Sequence, residues 1–536
     1  MAFVTLLIFP IVTIVLYQLV LRRAPRPPKG LRAVPGPGGK VPFIGHAHLL
    51  KPTGPQRQFI EWANQYGELF SLQLGWENWV FLNSPAAVKE IMDKQSASTS
   101  GRPPMPVGAD IISGDMRFLL MTYSPRWRRL RAIVHKLLTP KAADTFKPSQ
   151  EFEAKQLLHD ILKEPQNTYD HCRRYTTSVV MTSTYGRRIP QFDCEDTREI
   201  YGLLKDFTEN MPPTNGFLPD LVPPLAKLPT WLQWWRKPAL AMQKRQTAIW
   251  MKYWRTLRAQ METHTAPECF VKQFIETDYR TQDISEIQAA WVAGTMIEAG
   301  SETTSSTLNT ALKYLAAHPR AQAAAASSLA ATVGDARSPT FADEPSLPYI
   351  RAIAKEVLRL RPITNVGTPH YTTAGVTYNG YWIPPNTVVV VNQYAIHYDN
   401  AVFEDPHVFR PERYLGFPER AGVYAKVPEP RARDHWSFGA GRRICSGMHL
   451  AENSLFVTLA KVLWAFEIVP RGGERLDLSD GAFEPGVNTV PKRYVVDFRP
   501  RNKAREEVVR REWETAKREG FWLGERKVGV DGVVVG

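Results

Sequence analysis

Cysteine is scarce in this chain. Cys172, Cys194, Cys269 and Cys445 are the four cysteines among 536 residues, and their spacing matches neither a zinc site nor a disulfide framework. A disulfide-built secreted fold is excluded, and the body of the chain reads as residing in a reducing compartment. Nucleic-acid motifs and a dense basic run within the body are also lacking. The net charge of +14 therefore points to an anionic membrane surface or an acidic protein partner rather than to nucleic acid. At the N-terminus no positive region precedes the apolar run and no small-residue cleavage site follows it, which argues against a secretory leader. An apolar fraction of 43% leaves no room for wholesale disorder.

What is present begins with residues 2–21, which carry no charge and are long enough to span a bilayer as one helix. Pro10 kinks such a helix without excluding it. Arg22, Arg23, Arg26, Lys29 and Arg32 follow, and basic flanks stay cytoplasmic. The expectation is a signal-anchor over 1–21, a Pro/Gly-rich semi-rigid hinge over 22–45 containing Pro35-Gly36-Pro37, a body over 46–500, and a charged extension over 501–536.

Within the body, a helix over 59–66 precedes two paired strands, 67–74 and 79–82, and Ser84 caps a helix over 84–92. Residues 98–124 are irregular, and a long irregular stretch in a compact body is usually functional or mobile. Ser124-Pro125 opens a further helix that carries Trp127 and Arg131 on one face; alone, such a pair is more often packing and surface. Residues 212–238 hold seven prolines with Trp231, Trp234 and Trp235. They suit a membrane interface and, equally, a loop folded onto the body.

One long helix is expected over 285–317, centred on Ala299-Gly-Ser-Glu-Thr-Thr. A mid-helix glycine costs up to ~1 kcal/mol against alanine, so Gly300 is expected to admit a flat ligand to the backbone. Thr303 is expected to bond back to a carbonyl. Glu302 then offers an acid and Thr303 a hydroxyl for proton relay, although a Ser/Thr-rich helical surface looks the same in isolation. A helix over 352–361 places Glu356 and Arg359 at i, i+3, and Phe-Arg-Pro-Glu-Arg-Tyr at 409–414 supplies Arg413. Strands are expected over 376–382 and 387–392. After Pro500 a solvated helix is expected to Glu519, then a frayed tail over 528–536.

The most informative stretch is 438–447, Phe-Gly-Ala-Gly-Arg-Arg-Ile-Cys-Ser-Gly. Glycines permit tight turns around Cys445, Phe438 would shield the sulfur, Arg443 could meet an anion, and a helix-compatible apolar run follows to Phe466. Backbone N–H groups and the helix dipole favour a thiolate there, the form an iron ligand requires. A lone cysteine beside two glycines is otherwise an ordinary buried thiol.

Phe-x-x-Gly-x-Arg-x-Cys-x-Gly is complete here, and with it the sequence resembles the cytochrome P450 family of haem-thiolate monooxygenases. The acid–alcohol, Glu-x-x-Arg, second-arginine and Trp-x-x-x-Arg motifs occur in the family's order across nearly the whole chain. The resemblance implies a mostly α fold with a smaller β region and haem b bound through Cys445. It further implies that Trp127, Arg131, His370 and Arg443 hold the haem propionates, that Glu302 and Thr303 relay protons, and that Glu356, Arg359 and Arg413 form a buried frame for the haem loop. Residues 366–370 would line the pocket, and 483–493 resembles the last substrate-contacting hairpin. Electrons would come from NADPH through a flavoprotein cytochrome P450 reductase docking near Arg442 and Arg443, with cytochrome b5 a second donor. The implied place is the endoplasmic reticulum membrane, single-pass with a cytosolic catalytic domain. The wording at 436–453 is similar to fungal secondary-metabolism members such as the O-methylsterigmatocystin oxidoreductase-like enzymes, implying a small apolar organic substrate. A haem-thiolate isomerase or dehydratase without O2, and a non-catalytic haem sensor, are the alternatives.

Overall fold

The computed structural model describes residues 25–535 except 43, 52–53, 211–216, 365 and 487. The longer helices in chain order are α1 (Pro55–Tyr66), α2 (Pro125–Leu137), α3 (Lys147–Lys163), α4 (Thr168–Tyr185), α5 (Glu195–Asn210), α6 (Arg236–Glu262), α7 (Glu286–Ala317), α8 (Pro319–Val333), α9 (Pro348–Leu360), α10 (Met448–Ala465) and α11 (Lys503–Glu519). The fold is mostly helical with small sheets, as expected. The anchor expected over 2–21 lies outside the described residues; among those described, no helix is long and apolar enough to cross a membrane.

Capping marks the helix starts. The Ser285 hydroxyl accepts the Gln288 N–H at 3.2 Å to open α7, and Ser124 does the same for Trp127 at 3.2 Å ahead of α2, each satisfying an otherwise orphaned donor. At the end of α4, Gly186 takes φ +68 and closes the helix with its N–H on the Thr182 carbonyl at 2.8 Å. The 32 residues of α7 span about 48 Å at 1.5 Å each. Residues Leu308, Ala311, Leu312 and Leu315 of α7 share one apolar core with residues of α3, α4, α9 and α10. That helical block is the frame of the molecule.

The principal sheet has strand order β2-β3-β7-β4, built from β2 (Leu69–Leu74), β3 (Glu77–Leu82), β7 (Thr387–Val391) and β4 (His370–Tyr371). β2 and β3 pair, as expected, and do so antiparallel with Leu69 opposite Leu82. A smaller sheet joins β1 (Arg32–Ala33), β6 (Tyr381–Ile383) and β5 (Val376–Tyr378), and β8 (Phe466–Pro470) pairs with β9 (Val496–Pro500). The single strand expected over 376–382 is instead a hairpin. Asn379 and Gly380 both take positive φ, +46 and +77, as a two-residue Asn-Gly turn demands.

Three further expectations are corrected. The helix over 84–92 is α-helical only for Pro85–Val88 and continues as a wider π-type turn to Lys94. The charged C-terminal stretch is helical but not merely solvated: Val508, Val509, Trp513 and Ala516 are buried. The tail is not frayed. β10 (Phe521–Leu523), β11 (Arg526–Val528) and β12 (Val534–Val535) form a sheet, because Phe521, Leu523 and Val528 bury against Phe146, Phe152 and Trp513.

Candidate functional site

Cys445 sits immediately before α10, in a loop whose shape follows from its glycines and donors. Its N–H donates to the Phe438 carbonyl at 2.9 Å, and Gly439 N–H to the Trp436 carbonyl at 2.8 Å. Gly441 takes φ +63, and a Cβ there would lie 2.2 Å from the Met92 carbonyl oxygen, so glycine is required on two counts. The Gly441 N–H is held by Asp93 Oδ1 at 2.9 Å. Burial, the largest influence, holds the Cys445 thiol above its ordinary value, with Glu452 adding to it, and the backbone N–H groups of Gly447 and Met448 and the charge of Arg131 offset this in part. Its sulfur thus faces the N-terminus of α10, where a negative charge is favoured.

Around the loop lies a cationic cluster. Arg131 donates to Ser446 Oγ at 2.8 Å and to the Ile444 carbonyl. Arg443 turns inward, donating to the Ser100 carbonyl at 2.9 Å and the Met121 carbonyl at 2.7 Å, with its guanidinium 4.0 Å from the Trp127 ring centroid. Burial, then Arg102 and Arg131, push Arg443 down to about 8. Among the described residues none of Arg102, Arg131 or Arg443 has an ion pair with a carboxylate. Trp127 is 2% exposed and its indole N–H has no acceptor among them. Three neighbouring guanidiniums and an orphaned indole donor, linked through Arg131 to the thiol, suit an anionic group. A haem, with iron for Cys445 and two carboxylates for this cluster, fits that donor set.

Arg102 was not singled out from the sequence. Gly101 bridges to Tyr371, and a Cβ on it would lie 2.6 Å from the Tyr371 carbonyl oxygen. That close approach carries Arg102 to the Pro369 carbonyl at 2.6 Å, where burial pushes it down to about 9. A Gly-Arg-Pro triplet inside an irregular apolar stretch was the available signal. His370 is buried with Nδ1 at 2.9 Å from the Thr99 carbonyl, so its neutral proton is committed there. Burial, Arg102 and Arg443 hold its basicity well below the ordinary value. It donates to a second acceptor only when an anion offsets those arginines.

The Glu356 carboxylate, fully buried, binds Arg359 Nε at 2.8 Å and Nη2 at 2.9 Å, Arg413 Nε at 3.0 Å and the Arg410 N–H at 2.9 Å. Arg359 Nη1 continues to the His397 carbonyl at 2.8 Å, and His397 Nε2 accepts the Trp436 N–H at 2.8 Å. A continuous hydrogen-bonded path therefore runs from the three ionic residues to the loop bearing Cys445. His397 was not foreseen.

On α7, most residues are buried, yet Met296, Ala299, Gly300, Thr303 and Thr304 retain accessibility. Their spacing makes one stripe. Thr303 donates to the Ala299 carbonyl at 2.6 Å, as expected of a mid-helix threonine. Glu302 is 8% exposed, and no hydrogen bond joins it to Thr303 among the described residues. Gly300 has a different reason than a ligand's approach: a Cβ there would lie 2.6 Å from Val180 Cγ2 of α4, so the glycine serves helix–helix contact. A groove of about 490 Å³ lined by Met116, Met251 and Ile287 lies toward the start of α7, away from Thr303. Ile287 lies sixteen residues before Thr303, about 24 Å along the helix.

In the segment after α5, Trp231 is 81% and Trp234 64% exposed, whereas Trp235 is buried with Val107 and Ile112. Asp220 ties the segment to the irregular loop through the Val107 and Gly108 N–H groups at 2.7 and 3.0 Å. Arg442 is exposed, while Arg443 is half-buried with its guanidinium on the Ser100 and Met121 carbonyls.

The family model described as Cytochrome P450 matches residues 35–498. The cytochrome P450 monooxygenase pgmC of Aspergillus terreus is 39% identical over 512 residues, covering 94% of this chain and 93% of that protein. The cytochrome P450 monooxygenase verL of Clonostachys rogersoniana is 36% identical over 532 residues, 97% of each. The cytochrome P450 monooxygenase virE of Hypocrea virens is 33% identical over 511 residues, covering 95% and 92%.

Proposed function

Because the chain belongs to the cytochrome P450 family of monooxygenases, we propose that it binds haem through Cys445 and inserts one oxygen atom into a small apolar organic substrate, an intermediate of fungal secondary metabolism. One observation supports this reading above the others. Arg131 acts on the Cys445 thiol at the N-terminus of α10, and Arg443, stacked on Trp127 and beside Arg102 and Arg131, continues a cationic cluster with no carboxylate paired to it among the described residues.

When bound, the haem supplies reductive activation of O2. Insertion consumes O2, two electrons and two protons, and releases one water. The protein's own residues do the rest. N–H groups of Gly447 and Met448 favour the thiolate, and Arg102, Arg131 and Arg443 would hold the haem's two carboxylates. Thr303, donating to Ala299, keeps its oxygen lone pairs for water on the accessible stripe, and Glu302 brings a carboxyl within the same turn. Glu356, Arg359 and Arg413, acting through His397, hold the cysteine loop in place. Electrons reach the site from NADPH through a cytochrome P450 reductase, with cytochrome b5 as a second donor, at a face that includes Arg442. The segment bearing Trp231 and Trp234 rests on the endoplasmic reticulum membrane beside the N-terminal anchor.

The test is the carbon monoxide difference spectrum of the reduced protein beside Cys445→Ser. A thiolate-type band lost in the variant is expected. A histidine-type band, or no haem in wild type, overturns the proposal.

A further inference from the structure

Glu302 is held by a residue of a distant part of the chain. Its Oε2 accepts a hydrogen bond from Asn488 Nδ2 at 3.0 Å, the one hydrogen bond to its carboxylate among the described residues. Adjacent residues on a helix do not face each other. Thr303 lies on the accessible stripe, while Glu302 is turned toward the hairpin, and Tyr169 and Tyr201 both lie within reach of its charge. A glutamate with three free torsions would sample many positions relative to water at Thr303. Something has to select one.

Asn488 is itself well fixed. It bridges to Thr364, and its neighbour Thr489 donates its N–H to the Ile363 carbonyl at 2.6 Å and its hydroxyl to the Pro362 carbonyl at 2.7 Å. At the base of the same hairpin, Phe483 bridges to Pro491, the Tyr169 hydroxyl donates to the Pro491 carbonyl at 3.0 Å, and Arg493 pairs with Asp170 at 2.7 Å. A neutral amide donor orients a carboxyl group without adding charge.

We propose that Asn488 is the positioning residue for Glu302, setting from the C-terminal hairpin the carboxyl that delivers protons during O2 reduction. This rests on the monooxygenase reading. Without substrate, O2 takes two electrons and two protons to give hydrogen peroxide, using one NADPH. With further proton delivery it takes four of each to give two waters, using two NADPH. The NADPH:O2 ratio of the substrate-free holoenzyme with its reductase therefore reads proton delivery directly.

The variants are N488L, E302A and the double variant, each first checked for an intact carbon monoxide band. N488S, with a smaller side chain on the same turn, serves if N488L loses haem. The expected result is that N488L lowers the NADPH:O2 ratio toward one and raises peroxide as E302A does, and that the double variant goes no further. Hydrogen exchange of the 488–490 amides in the oxidised holoenzyme, which involves no turnover, should rise equally in N488L and E302A. A wild-type ratio in N488L beside a lowered ratio in E302A overturns the positioning role alone. Additive effects would assign Asn488 to hairpin packing and also overturn it. A wild-type ratio in E302A removes the acid role from Glu302, and with it the premise.

Discussion

Replacing Glu356 by alanine tests the path from the ionic residues to the cysteine loop. The carboxylate is 0% exposed and lies between Arg359, also 0% exposed, and Arg413, 7% exposed. Its loss strips four hydrogen bonds: two from Arg359, one from Arg413 and one from the Arg410 N–H. Arg359 stays in place because the His397 and Pro406 carbonyls still hold Nη1 at 2.8 Å each. Two buried guanidiniums then have no counter-charge, a situation that costs about 3–5 kcal/mol, a large part of the ~5–15 kcal/mol that keeps a domain folded. Urea unfolding of the holoprotein, followed by the carbon monoxide band, measures the loss. The surface pair Lys51–Glu61, 51% and 62% exposed at 3.1 Å, is the control, and Glu61→Ala should cost under about 1 kcal/mol. If Glu356→Ala costs no more than Glu61→Ala and the band survives, the frame role and the His397 path are both wrong.

Other outcomes follow from individual contacts. Gly300→Ala should destabilise by about 1–3 kcal/mol through overpacking on Val180, and Val180→Ala should recover most of it; no recovery in thermal melts would return Gly300 to a ligand role. His435, held down to about 4 by burial, is neutral when folded, but in the unfolded chain it protonates below about 6.5. Its neutral form therefore costs nothing above pH 6.5, and stability drains as pH falls from there toward 4, by about 3 kcal/mol in full. His435→Asn should flatten that acid limb in unfolding titrations, and an unchanged limb would remove His435 from it. For the membrane face, Trp231→Ser with Trp234→Ser should reduce flotation of the anchor-deleted body with anionic liposomes, while unchanged flotation would free that segment of the role.

Much was legible in the sequence because it depends on neighbours in the chain. Ser124 with Pro125 marked the start of α2 through capping chemistry, the apolar side of 285–317 marked α7, and the turn glycines around Cys445 are intelligible residue by residue. Thr303 could be expected to bond back four residues, since the helix alone brings Ala299 within reach. The Asn379-Gly380 turn is equally local, an Asn-Gly pair that divides the single strand expected over 376–382. Only the tertiary structure decided the rest. Gly300 answers to Val180 on another helix, a contact that no spacing encodes. Arg443 turns inward because carbonyls of Ser100 and Met121 meet it there, and Arg102 joins the cluster because Gly101 lies against Tyr371. The C-terminal sheet depends on apolar partners more than three hundred residues earlier, Phe146 and Phe152. His397 and Asn488 acquire their places through hydrogen bonds to residues 39 and 186 positions away. Burial and charge pairing at such separations depend on the packed chain as a whole, so local chemistry could name the parts of the site while the fold alone set which of them meet.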